Sequence, residues 1–332
     1  MNIIKKSFYG KAKWFVILGM LIVIFAAILL VLTVMDEPKV KIEEKNIKLT
    51  VGETKSMNVK VVEKNKTLPK MKYSSGNEAV ATVDKDGNIA SKRGGSCVVT
   101  AQSPQGQKLK VNITVKAPAE KKVMYLTFDD GPSSAATEDI LRTLDKYNAK
   151  ATFFVIGANA EENYEILKDI VSKGHTIGIH SYSQDYNKIY KTAKSYLDDF
   201  NKTEKIVRKA GYDPGYWRFP GGGSNDFVSE KAQREIMKKL HKKGYTEMDW
   251  NSNINDGSGI KYKVDELFKH GIRSINTTIL TGESPVVLLH DSNMQPKTAE
   301  TLGKLLKYYK KKGYKFKGLD EYRGPELSFG KN

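Results

Sequence analysis

The sequence has a single cysteine in 332 residues, Cys97, so no intrachain disulfide can form. Cys97 stands in the apolar run Cys97-Val98-Val99, where a small thiol suits a core position. Acid is scarce relative to base: 38 Asp and Glu face 55 Lys and Arg, a net charge of +17. That excess favours anionic surroundings such as phosphate-bearing wall polymers or acidic headgroups. No recognisable nucleic-acid module accompanies the charge, so nucleic acid is not an expected partner. A Gly-x-Gly-x-x-Gly is missing after the strand at 123–128, which argues against dinucleotide binding. Long apolar runs are also lacking, with one exception.

The exception is residues 14–35, which are free of charge and almost wholly apolar. At ~1.5 Å per residue a helix there spans a ~30 Å hydrocarbon core. Residues 1–13 carry Lys5, Lys6, Lys11 and Lys13 and no acid, so that end stays in the cytoplasm and everything after Asp36 lies outside. A cleaved signal peptide competes, but its apolar region is normally shorter, and no small-x-small site follows this run. The expectation is a single-pass membrane anchor with the N-terminus inside.

From 39 to 116 the texture is all β. Ile47–Val51, Met57–Val61 and Val111–Val115 alternate apolar and polar residues, the period of strands with one buried face. Turn signals such as Asp86-Gly87-Asn88 and Gly94-Gly95 recur at short intervals, as in a β-sandwich. The wording Leu49-Thr50-Val51-Gly52-Glu53-Thr54 and Tyr73-Ser74-Ser75-Gly76-Asn77-Glu78 resembles bacterial Ig-like domains of group 2, which implies a surface spacer. A short polar linker, 117–122, follows. Apolar runs at 123–128, 151–156, 176–179, 216–219, 245–248, 286–289 and 314–318 then alternate with amphipathic stretches near 137–147, 161–173, 188–210, 230–243, 264–273 and 298–312. Strand–helix alternation over 123–323 predicts an α/β fold, a distorted barrel of parallel strands, with a doubly wound open sheet as the alternative.

In such barrels the chemistry sits at the C-terminal ends of the strands. Read alone, Thr127-Phe128-Asp129-Asp130-Gly131-Pro132 is an ordinary turn. Other strand ends, however, carry His180-Ser181, Arg218-Phe219-Pro220-Gly221, Asp249-Trp250-Asn251 with Asp256 behind, and His290-Asp291. Ionisable residues at five strand ends point to a site rather than to packing.

These five motifs, in this order and spacing, resemble the polysaccharide deacetylases of the NodB-homology group, carbohydrate esterase family 4, over residues 122–322. The resemblance implies hydrolysis of acetyl groups on N-acetylated sugars. With an anchor and a wall spacer it points to peptidoglycan N-acetylglucosamine at the outer face of a bacterial cell membrane. It implies one divalent metal, zinc first; Gln184, in place of a histidine, makes manganese or cobalt the alternatives. Carried over by position, Asp129 matches the catalytic base, Arg218 the residue that orients it, His290 the general acid and Asp256 the acid that tunes it. Asp130 and His180 match metal ligands. Gly221, Trp250 and Leu288 fall on the oxyanion and substrate side. The sequence departs from the pattern at Gln184, where the second metal histidine is expected. An amide oxygen is a poorer zinc ligand than imidazole, and the adjacent Asp185 is the candidate substitute. Gly221 and Gly257 replace bulkier family residues and imply a more open cleft.

Overall fold

The computed structural model describes residues 20–25, 38–117 and 120–329. Residues 20–25 are helical and exposed, and the remainder of the expected 14–35 anchor lies outside the described residues. Among the described residues no helix is long and apolar enough to cross a membrane.

The first unit is all β. Its strands are β1 (Val40–Lys41), β2 (Asn46–Thr50), β3 (Thr54–Ser56), β4 (Lys60–Val61), β5 (Lys72–Ser75), β6 (Ala81–Val83), β7 (Asn88–Ser91), β8 (Gly95–Gln102) and β9 (Lys108–Lys116). Sheets ordered β2-β9-β8-β5 and β3-β7-β6 share one core, while β1 pairs with β4. Alternation decides which side faces in: Ile47 and Leu49 on β2, and Val111, Ile113 and Val115 on β9, are buried. Cys97 belongs to this core, and burial raises its thiol pKa. The expected strand Met57–Val61 shortens to β4 because Asn58 takes a φ of 48°, which interrupts the extended chain.

The second unit is one parallel sheet with helices along its outside. Its strands are β10 (Val123–Asp129), β11 (Thr152–Ile156), β12 (Thr176–Ser181), β13 (Tyr216–Trp217), β14 (Thr246–Glu247), β15 (Ser252–Asn253), β16 (Val286–His290) and β17 (Lys315–Lys317). The order is β14-β13-β12-β11-β10-β16-β15. β17 pairs with the first half of β10 and β11 with the second. The terminal strands β14 and β15 do not pair, so the sheet curls into a half-barrel with an open seam. The helices are α1 (Ala136–Tyr147), α2 (Gly157–Glu162), α3 (Tyr164–Ser172), α4 (Tyr186–Ile189), α5 (Ala193–Lys209), α6 (Glu230–Lys242), α7 (Val264–Leu280) and α8 (Thr298–Lys311). Two differ from expectation by a break. The 161–173 stretch starts earlier and divides at Asn163. The 188–210 stretch divides before Thr192, whose side chain accepts the Ser195 N–H and caps a new helix. The two-residue β15 is too short to leave a periodic signal.

The period-two rule sorts the sheet into two faces. Met124, Leu126 and Phe128 of β10 face the helices in the main core. Val123, Tyr125, Phe154, Tyr216, Met248 and Val286 form an inner plug with Leu319 and Tyr322 at the N-terminal end of the strands. Further along the same inner face come Thr127 and Asp129, His180, Arg218, and Leu288 and His290. An apolar floor with polar residues above it results. The β-unit docks below that floor. Arg93, buried, donates from Nη2 to the Tyr216 hydroxyl at 2.6 Å, and its guanidinium lies 5.0 Å from the Tyr216 ring centroid. Gly94 N–H donates to Arg323 O at 3.0 Å.

Candidate active site

Asp129 ends β10 and is 4% exposed. Arg218, fully buried, donates from Nη1 to Asp129 Oδ1 at 2.7 Å and to Thr127 Oγ1 at 3.0 Å. Its Nε donates to Met248 O at 2.7 Å and its Nη2 to Asp249 O at 2.9 Å. The Phe154 ring lies 4.1 Å below the guanidinium. With every edge of the fork engaged, Arg218 is a rigid positive charge aimed at one carboxylate.

His290 sits in register with Asp129 on the adjacent parallel strand β16. Its Nδ1 meets Asp256 Oδ1 at 2.9 Å, and its backbone N–H donates to Asp256 Oδ2 at 2.9 Å. Thr298 Oγ1 donates to the same carboxylate at 2.7 Å. Burial alone would lower the imidazole pKa. The Asp256 hydrogen bond and charge, with Asp129 and Asp130 nearby, outweigh it and raise the value to about 9. The imidazolium form is therefore the resident one at neutral pH. Gly257 does not open the cleft as its small size suggests: a Cβ there would overlap the His290 ring. Gly257→Ala is expected to push the imidazole off Asp256 and lower kcat by roughly 10²-fold, as misplaced catalytic groups do. Steady-state kinetics beside an unchanged circular dichroism spectrum checks this.

Asp130 has a φ of 80°, and Gln184 a φ of 54°. Such backbone angles cost free energy in non-glycine residues and cluster at functional sites. His180 Nε2 stands 3.5 Å from Asp130 Oδ1, and its Nδ1 pairs with Arg218 O at 3.0 Å, the orienting contact a ligand histidine needs. Gln184 reaches the same place, but its Nε2 donates to Asp130 Oδ1 at 2.6 Å. It occupies a carboxylate lone pair with a proton rather than offering a ligand. Asp185 does not substitute. It turns away to Lys188 at 2.7 Å, and that hydrogen bond lowers its pKa. Among the described residues no group of three His, Cys, Asp or Glu side chains converges as a metal cage. The residues present do not fit the three-ligand zinc site that the family resemblance implies.

The remaining histidines stay out of the site. His175 is buried on the helix side, where burial lowers its pKa to about 4. His241, on a lysine-rich helix, is not simply solvated: Nε2 meets Glu326 Oε1 at 2.8 Å. Of the glycine turn, Gly222 N–H donates to Phe219 O at 2.8 Å and Gly223 N–H to the Asp249 carboxylate at 3.2 Å. The Gly222 N–H is therefore not available to an oxyanion. Gly221 N–H has no partner among the described residues and is the free donor at that rim. Trp250 covers Gly222, and Leu288 lies on the His290 side of β16.

Two acids were missed as functional residues. Asp291 is fully buried and accepts from Thr137 Oγ1 at 2.7 Å; burial pushes its carboxyl up to about 7. A Cβ at Gly131 would overlap that carboxyl, so Gly131 is glycine to let Asp291 in. Asp249 is likewise fully buried, and burial raises its pKa. Both occur in motifs quoted from the sequence, but only the fold shows what they touch.

A parallel half-barrel whose rim carries a guanidinium-held carboxylate and a carboxylate-backed imidazole has the groups that acid–base hydrolysis needs. Residues 116–241 match the family described as polysaccharide deacetylase. A peptidoglycan-N-acetylglucosamine deacetylase of Bacillus cereus is 32% identical over 218 residues, 64% of this chain and 76% of the relative. The deacetylase PgdA of Listeria monocytogenes is 32% identical over 235 residues, 67% of this chain but 43% of that longer protein. The catalytic domain of a peptidoglycan N-acetylglucosamine deacetylase from Eubacterium rectale superposes with a TM-score of 0.59 at 28% identity, covering 65% of this chain and 96% of that one. The Bacillus cereus polysaccharide deacetylase Bc1974 gives 0.52 at 31%, covering 60% and 92%. The chain belongs to the polysaccharide deacetylase family, hydrolases of carbon–nitrogen bonds other than peptide bonds. The Ig-like resemblance of 39–116 lies ahead of the matched 116–241.

Proposed function

We propose that this protein hydrolyses the acetamido group of N-acetylglucosamine in peptidoglycan. The carrying observation is that Asp129 and His290 are register partners on neighbouring strands, one held by Arg218 at 2.7 Å and the other by Asp256 at 2.9 Å. Asp129 accepts a proton from water, whose oxygen adds to the acetyl carbonyl. The Gly221 N–H steadies the oxyanion, a contribution of about 3 kcal/mol for such donors. His290 gives its proton to the nitrogen as the C–N bond breaks, leaving acetate and a free amine. The names of the Bacillus and Listeria relatives support peptidoglycan as substrate. A divalent ion belongs to the family resemblance, but here the Gln184 amide holds the Asp130 oxygen that would bind it.

Acetate release from N-acetylated peptidoglycan fragments by the full chain tests the reading. A second reading, glycan binding without hydrolysis, is favoured by the Gln184–Asp130 contact. Binding with no acetate under any divalent ion would select it. Because His290 must be protonated and its pKa is raised to about 9, kcat is expected to hold at neutral pH and fall about tenfold per unit above 9. A pH–rate profile that falls near 6.5 instead would show an acid that titrates as an ordinary imidazole, one that Asp256 does not hold protonated.

In this reading residues 14–35 anchor the chain in the bacterial membrane with the catalytic unit outside, supported by the uncharged run that follows four lysines. Residues 39–116 act as an Ig-like spacer. The buried Arg93 contact favours a fixed platform over a swinging one.

A further inference from the structure

The half-barrel leaves β14 and β15 unpaired, and residues 326–329 lie in that seam, past the last residue of the family resemblance. Leu327 forms a parallel bridge with Met248. Asp249 N–H donates to Leu327 O at 2.6 Å, and Phe329 N–H donates back to Asp249 Oδ2 at 2.7 Å. Two side chains fasten the segment. Glu326 Oε1 accepts Glu247 N–H at 2.7 Å, and Ser328 Oγ donates to Glu247 Oε2 at 2.7 Å. The Phe329 ring stands edge-on to Trp250, centroids 5.4 Å apart.

Asp249 links this segment to the site. Its backbone oxygen and that of Met248 are two of the four acceptors that orient Arg218. Its carboxylate takes the Gly223 N–H of the turn that presents Gly221. A fully buried carboxylate needs such donors, and the Phe329 N–H is one of two backbone amides it receives. We propose that residues 326–329 are a positioning element of the active site: they hold Asp249, and Asp249 holds both Arg218 and the Gly221–Gly223 turn.

The kinetic consequence rests on the deacetylase reading, whereas the ordering of residues 218–223 does not. Two substitutions at one position separate the backbone from the ring. Phe329→Ala loses the ring and keeps the N–H. Phe329→Pro loses both. Phe329→Ala is expected to keep kcat within about threefold, whereas Phe329→Pro lowers kcat roughly 10²-fold with little change in KM, the signature of misaligned groups. In parallel, hydrogen exchange of the 218–223 backbone, read by mass spectrometry, speeds up about tenfold in Phe329→Pro relative to Phe329→Ala, as local opening becomes easier. A purely structural role would lower the melting temperature of Phe329→Pro while leaving kcat and 218–223 exchange, measured well below that temperature, equal to those of Phe329→Ala. That result overturns the proposal. If the unaltered chain releases no acetate, the deacetylase reading fails and the exchange comparison alone decides this one.

Discussion

Asp129→Asn is expected to abolish turnover, a loss of about 10³-fold or more in kcat, within the range for removing a positioned general base. The amide matches the carboxylate in size but cannot take a proton from water. It also withdraws the charge that faces a fully buried guanidinium at 2.7 Å. Leaving a buried charge uncompensated costs about 3–5 kcal/mol when the partner is simply removed. Here Thr127 Oγ1, Met248 O and Asp249 O still accept from Arg218, so a loss towards the lower end is expected. Acetate release and thermal unfolding of the same preparation separate the two effects. Turnover within tenfold of the unaltered protein would mean that another group removes the proton.

Gln184→His is expected to create a metal site. The amide now donates to Asp130 Oδ1 at 2.6 Å, and His180 Nε2 stands 3.5 Å from the same oxygen. Imidazole in place of the amide completes one carboxylate and two histidines, a ligand set suited to zinc. Histidine tolerates the left-handed backbone of position 184 better than most residues do. Zinc affinity should rise by at least about 10²-fold, since even altering a residue behind a ligand shifts affinity by 10–100-fold. Equilibrium dialysis with metal analysis measures it directly. Unchanged affinity would show that side chain 184 points away from Asp130. Metal uptake without any change in acetate release would show that hydrolysis here does not depend on the ion.

Much of the site was legible because its parts are local. Asp129, Asp130, His180, Arg218 and His290 each lie at or just past the end of an apolar run, and strand periodicity alone puts alternate residues on one face. His175 could be set apart from His180 on the same ground. Gln184 stood out by spacing. What spacing cannot say is where a side chain turns once neighbours compete for it. Asp185 looked like a substitute ligand because it is anionic and adjacent, yet Lys188, three residues on, takes it. Gly257 looked like open space, yet the His290 ring fills it. Asp291 and Asp249 looked like motif letters, yet each is a buried contact between distant stretches of chain.

The sequence by itself located most of the strands and helices and the ionisable residues that stand at the strand ends. Those follow from composition and from periods of two and 3.6, properties of a few neighbouring residues. Only the tertiary structure decided that the sheet stays open between β14 and β15, that residues 326–329 enter the gap, and that Gln184 bonds to Asp130. The physical reason is the same in each case. A polar group removed from water must find a partner, and which partner it finds depends on everything the fold brings within 3 Å of it.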